Sequence, residues 1–312
     1  MTSRSPDKND SVFKWLVTLM AAGHFALVVI TGRVRWEHVA ADLLLVVLAW
    51  AGAGPRRFLR GAFPLWLTGM ILDSQGLWLG LRGTIHTGDL WNLEKALFPA
   101  PGGMIWPEWW WNNPNTPLDL LCGFAYAAYL YEVFIAALLF FFFKKDRLFQ
   151  SLCWAFFVVN AIGVVIYVLY PAAPPWYVLK YGPGPANLAA LPSPAGTARF
   201  DAFFGISYFA NFYARNPNVF GAMPSLHAAY PLMMVLVLWY KGVAWRVGTI
   251  LFALLVAFSA VYLTHHYILD VLAGGVAAVV AFVFVRAVFA RRDRGTPEAA
   301  SVSLPSGGNT RA

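Results

Sequence analysis

Residues 259–292 read SAVYLTHHYILDVLAGGVAAVVAFVFVRAVFARR. From Val271 to Ala290 the only charge is Arg286, and an apolar run of that length suits a helix crossing a hydrocarbon core ~30 Å thick. Apolar runs of similar character recur at 12–31, 38–53, 58–80, 117–143, 148–170, 225–240 and 244–263, with the run quoted above spanning 266–290. The expected fold is therefore all-α, a polytopic membrane helical bundle of about eight transmembrane helices. Composition agrees: 59% of the 312 residues are apolar and 12% charged, too few charges for the surface of a soluble chain. Aromatic residues reach 17%, as expected where amphipathic rings collect at membrane interfaces. Lys and Arg (23) outnumber Asp and Glu (15), but they fall in short clusters between the apolar runs, so they read as topology signals and not as a nucleic-acid surface. Cys122 and Cys153 both lie inside apolar runs, which argues against a disulfide framework and against a cysteine metal site.

Basic clusters at Arg56, Arg57 and Arg60, at Lys144, Lys145 and Arg147, and at Arg291, Arg292 and Arg294 fall on one side of the alternating spans. Positive charge resists translocation, so that side is expected to be cytoplasmic, with both termini inside. The organisation read from this is a cytoplasmic tail at 1–11, N-terminal transmembrane helices with an outer aromatic loop at 12–116, a membrane core at 117–290, and a disordered cytoplasmic tail at 291–312. Two long outer segments, about 81–116 and 171–224, are expected to be structured and functional.

Two motifs carry chemistry, GAMPSLHAAYP at 221–231 and THHYILD at 264–270. Each stands at the outer start of a span. Pro224 and Ser225 make a helix opening that puts His227 in the first turn, and Thr264 is a candidate cap for the last span. His227 and His266 then share the outer surface, where two helix N-termini favour phosphate oxygens. Asp270, four residues after His266, is placed to hold the Nδ1 proton so that Nε2 presents a lone pair to phosphorus. His227 is left to give and take the proton of the departing and arriving hydroxyls.

At these residues the chain resembles the type 2 phosphatidic acid phosphatase (PAP2) superfamily, and within it the branch of inositol phosphorylceramide and sphingomyelin synthases. The superfamily pattern P-S-x-H matches Pro224, Ser225, Leu226 and His227, and S-R-x(5)-H-x(3)-D matches Ser259, His266 and Asp270. Ala260 stands where the phosphatases carry Arg, and their first motif, a Lys followed by Arg-Pro, is absent ahead of PSLH. Both departures are typical of the transferase branch, which YPAAPPWY at 170–177 also resembles. The resemblance runs from the fifth span to the eighth.

It implies a metal-independent phosphotransferase without cofactor: His266 takes a phosphorylated head group, inositol phosphate by resemblance, from a phospholipid and passes it to a lipid hydroxyl. The expected catalytic residues are His227, His266 and Asp270. Ser225, His265, Arg215, Asp73 and Asp119 are candidate substrate contacts; Arg215, with Lys180 and Arg199, stands in for the missing cations, and Asp73 and Asp119 lie near the outer ends of their spans. His265 reads either as a second phosphate donor or as a packed neighbour. Glu132, mid-span, is expected to pair with another helix. The expected partners are a phospholipid donor and a lipid or polyol acceptor in the cell membrane, with the site on the extracytoplasmic face. Two other functions fit the same residues: a lipid phosphate or polyprenyl diphosphate phosphatase, and a non-catalytic transporter or scaffold.

Overall fold

The computed structural model describes residues 8–294. The expected tail segments 1–7 and 295–312 lie outside the described residues. The described chain forms fourteen α-helices and no strand: α1 (Lys8–Ile30), α2 (Trp36–Trp50), α3 (Ala53–Asp73), α4 (Gln75–Trp78), α5 (Gly88–Leu97), α6 (Trp106–Asn112), α7 (Thr116–Phe142), α8 (Asp146–Leu169), α9 (Pro175–Tyr181), α10 (Ala198–Phe204), α11 (Tyr208–Ala214), α12 (Leu226–Leu238), α13 (Val243–Tyr262) and α14 (Ile268–Arg294). Every apolar run read from the sequence becomes a helix. Five of them, within α1, α7, α8, α13 and α14, are long and apolar enough to cross a membrane. The ends differ from expectation. Helix α1 starts at Lys8, and α14 continues through Arg291, Arg292 and Arg294, whose charges complement the carbonyl end of the helix while Asp293 bonds Arg147 at 2.9 Å.

The bundle is organised around α12. Apart from His227 its thirteen residues are apolar all round the helix, and most of them are buried. It packs against α7, α8, α13 and α14, with Val133, Cys153, Val159, Met233, Val256 and Ala278 buried between them. Helix α3 lies along α8, where Gly61 leaves room for the Phe149 ring, and α2 and α1 follow α3 in turn around a second apolar cluster. Within that cluster's reach His24 and Asp42 pair at 2.8 Å, which compensates an otherwise costly carboxylate. Outward-facing Leu43, Phe142, Val276 and Phe284 give the bundle an apolar exterior. Both cysteines are free and buried. Glu132 departs from expectation: it finds no partner helix, and its Oε2 is buried without a hydrogen bond.

One end of the bundle is capped by the two long connections. Three backbone segments from them are knitted side by side: His86 N donates to Pro171 O (2.8 Å), Ala173 N to His86 O (2.8 Å), Ala172 N to Phe220 O (2.9 Å) and Ala222 N to Ala172 O (3.2 Å). Trp109, Trp110 and Trp111 of the outer aromatic loop fall in α6, and Trp110 packs on Phe258 and Tyr262 of α13. Beneath the cap, α12 and α14 approach so closely that a Cβ at Gly274 would collide with the Ser225 carbonyl oxygen. At Gly275 a Cβ would meet only Leu232 Cδ2, at an ordinary 3.4 Å. Gly274→Ala is therefore expected to destabilise the bundle by about 1–3 kcal/mol through forced helix separation. Gly275→Ala should leave stability unchanged or slightly raised, and thermal unfolding of the two variants in detergent checks the difference.

Candidate active site

Two chain segments meet under the cap. Ser225 caps α12, its Oγ accepting from Ala228 N at 3.3 Å, and His227 follows in the first turn. Ser225 is fully buried, and its own N–H donates to the carbonyl of Asp270 at 2.9 Å, tying the start of α12 to the start of α14. Pro224 precedes the cap, and its carbonyl accepts the Tyr167 hydroxyl at 3.1 Å.

The second segment, 263–267, is an irregular corner. Thr264 takes a left-handed φ of 60° and its hydroxyl bonds Leu263 O, so it is not the cap expected for the last helix. Helix α14 begins at Ile268 instead, with His266 just ahead of it. The corner is pinned from several sides. His265 N and His266 N donate to Ala260 O at 3.1 and 3.0 Å, Trp176 N donates to Thr264 O at 3.1 Å, and Gly196 N donates to Leu263 O at 3.0 Å. The cap of α14 comes from Glu94 of α5, whose carboxylate is fully buried and accepts from Ile268 N (2.8 Å) and Leu269 N (3.1 Å). Sequence reading missed this residue; in GDLWNLEKAL it looks like one charge of an amphipathic surface helix.

These supports bring the expected catalytic residues together. His227 Nδ1 lies 2.9 Å from His266 Nε2, and His266 Nδ1 lies 3.4 Å from Asp270 Oδ2, whose other neighbour is Tyr267 N at 2.9 Å. The His266 Nδ1 to Asp270 Oδ2 approach is an ion-pair distance without a completed hydrogen bond, and the donor in the His227–His266 contact depends on the tautomer. Tyr126 stacks on His227 with centroids 4.4 Å apart, and Tyr213 stacks on His265 at 4.5 Å. His265 donates from Nε2 to Pro194 O at 3.1 Å, and burial beside His266 pushes its pKa down to about 3, so it is a neutral, packed neighbour. Ala260 is fully buried in a cluster with Cys122, Tyr126, Tyr213 and Tyr262, so a small apolar side chain stands where the phosphatase pattern has arginine.

A cavity of about 830 Å³ opens on the histidines. His227, His265 and His266 line it together with Arg215 and Asp73; one wall comes from the α1–α2 turn and the end of α3, and the rest from α7, α8, α12 and the capping connection. Asp119 is not among the lining residues; it accepts from Arg199 Nε at 2.7 Å and from the Tyr262 hydroxyl at 2.8 Å. That contact also engages Arg199, while Lys180 lies over the Tyr181 ring. Arg215 pairs with Glu37 of α2 at 3.0 Å.

A family model described as the PAP2 superfamily matches residues 89–284, from α5 into α14, and so takes in both histidines, Asp270 and Glu94. The chain belongs to the PAP2 superfamily. Among curated relatives, the phosphoinositol dihydroceramide synthase of Bacteroides thetaiotaomicron is 33% identical over 256 residues, covering 80% of this chain and 84% of that protein. The catalytic subunit of inositol phosphorylceramide synthase of Schizosaccharomyces pombe is 35% identical over 170 residues, 54% of this chain and 40% of the relative. The inositol phosphorylceramide synthase of Candida albicans is 32% identical over 170 residues, 54% of this chain and 36% of the relative. No solved structure matches the chain.

Glu94 supplies a prediction. Burial pushes its carboxyl up to about 7, although the two N–H bonds act the other way. A folded pKa above the unfolded value of 4.5 means that the folded protein holds a proton the unfolded chain has lost between those pH values. The group's stabilising contribution is thus present below pH 4.5 and lost as pH rises through about 7. The difference in Tm between the wild type and Glu94→Gln should shrink from pH 5 to pH 8. Glu94→Ala, which strands two buried N–H groups, should cost about 1–3 kcal/mol for each at any pH.

Proposed function

We propose that this chain is a membrane phosphotransferase that moves inositol phosphate from a phospholipid to the hydroxyl of a ceramide-type lipid through a phosphohistidine at His266. The observation that carries the proposal is the line of His227 Nδ1, His266 Nε2, His266 Nδ1 and Asp270 Oδ2 on the wall of one large cavity. Relatives named for inositol phosphorylceramide and phosphoinositol dihydroceramide synthesis support the choice of head group and acceptor.

In the first half-reaction a donor phosphate enters between the two imidazoles, replacing their direct bond. His266 Nε2 attacks phosphorus, the bond to the diacylglycerol oxygen breaks, and His227 protonates that oxygen. Asp270 holds the Nδ1 proton and stabilises the positive charge that develops on His266. In the second half His227 withdraws the proton from the acceptor hydroxyl, whose oxygen displaces His266 and carries away the head group. Ser225 contributes by setting the helix end that faces the phosphate, and His265 by packing. Ala260 supplies no cation at this position, which favours a singly charged phosphodiester over a doubly charged monoester. Tyr126 and Tyr213, stacked on His227 and His265, and Tyr129, tilted against His227, disfavour water as acceptor.

Purified protein given phosphatidylinositol and a ceramide should release diacylglycerol and form the phosphoinositol ceramide. His266→Ala should abolish both products, and Asp270→Asn should lower kcat by about three to four orders of magnitude with little change in KM. Free phosphate released from phosphatidic acid or a polyprenyl diphosphate, with no acceptor dependence, would make the protein a phosphatase instead.

The site lies opposite the basic clusters, on the extracytoplasmic face, with both termini cytoplasmic. Cys122 and Cys153 are buried, giving a low background for labelling. In intact cells an impermeant maleimide should label Asn187→Cys in the cap and spare Lys241→Cys between α12 and α13; the reverse pattern would invert the topology.

A further inference from the structure

The first three helices precede the segment matched by the family model, yet they build one wall of the catalytic cavity. Arg33 and Arg35 come from the α1–α2 turn, His38 from the first turn of α2, and Asp73 and Gln75 from the end of α3 and just beyond. The capping connection closes onto this wall through Arg215–Glu37 and through Asn218 Nδ2 donating to Gln75 Oε1 at 3.4 Å.

Charge and hydrogen bonding on the wall are uneven. Arg35 N–H donates to His38 Nδ1 at 3.3 Å, and His38 Nε2 lies 2.8 Å from Asp73 Oδ2 and 3.1 Å from the Arg35 guanidinium. The other Asp73 oxygen takes the Arg35 guanidinium. Each oxygen thus faces one basic group, and a carboxylate with about four acceptor sites keeps some of them for a ligand. Arg35 is neutralised by Asp73 and Arg215 by Glu37. Arg33 has no carboxylate partner among the described residues. Its guanidinium lies against the backbone of Gly76, where any Cβ would collide with it. The wall therefore offers a held carboxylate for hydroxyls beside an uncompensated positive charge.

We propose that Arg33 and Asp73 form a head-group subsite that sets donor specificity: it takes a hydroxyl-rich, uncharged or anionic head group and rejects one that ends in an ammonium. Asp73 accepts ring hydroxyls, Arg33 donates to hydroxyl or anionic oxygens, and the excess positive charge repels choline-like or ethanolamine-like groups. This rests on the reading that the donor phosphate sits at His227 and His266, and it names how that site chooses its donor.

The test is a binding measurement that needs no turnover. Purified full-length protein in detergent is titrated with glycerophosphoinositol and, separately, with glycerophosphocholine. The wild type should prefer the inositol compound by at least tenfold. Arg33→Ala and Asp73→Asn should each weaken its binding about tenfold, Arg33→Lys should retain most of it, and Arg33→Glu should move the preference toward glycerophosphocholine. Arg33 is exposed, so its variants should unfold at the wild-type temperature. Equal binding of the two compounds by the wild type, no binding of either, or unaltered preference in Arg33→Glu would overturn the subsite. A transfer assay run alongside separates this from the catalytic reading: transfer with unaltered preference sinks the subsite alone, whereas inositol-selective binding without transfer sinks the transferase alone.

Discussion

The arrangement depends on one backbone hydrogen bond, Ser225 N–H to Asp270 C=O at 2.9 Å, made where Gly274 lets α12 and α14 touch. It joins two helix starts whose histidines are 39 residues apart and leaves the imidazoles 2.9 Å from each other. A side chain at Gly274 would force the helix ends apart. Each partner also has to be capped, because buried helix N-termini carry unpaired N–H groups in a setting that water does not reach. Ser225 caps one from within its own motif, and Glu94 caps the other from across the fold.

The division of labour between bundle and cap follows from this. The bundle supplies apolar packing around α12, and the cap supplies the polar backbone and side-chain partners that an irregular corner such as 263–267 needs. Trp176, Gly196 and Glu94 belong to the long connections, so these segments are structural parts of the site. The N-terminal helices add a charged wall to the cavity through residues that do not belong to the superfamily's motifs.

Much of this was legible in the sequence for identifiable reasons. Long apolar runs have few alternatives to helices, so the positions of the spans were readable, and the spacing of His266 and Asp270 anticipated their approach, although His266 stands ahead of α14 and not on its face. The substrate contacts were harder. Asp73 and Arg215 do line the cavity, while Asp119 is held by Arg199 and Tyr262; the sequence offered the same cue for both aspartates, a carboxylate near a span end. Thr264 met the composition rule for a cap but sits at positive φ, and the actual cap is 174 residues from the amide it bonds. No local pattern reports a partner at that distance. Arg33 was visible only as a loop charge, because its lack of a carboxylate partner among the described residues emerges when Asp73 is seen to be occupied by Arg35 and His38.

The central claim is that His266 becomes covalently bonded to the transferred group. Rapid quenching of the protein with phosphatidylinositol labelled at phosphorus, without acceptor, followed by peptide mapping, tests it directly. The account predicts label on the peptide containing His266, stable to alkali and labile to acid, discharged by added ceramide and absent from His266→Ala. Steady turnover with no protein-bound label, or label on a different residue, would contradict it.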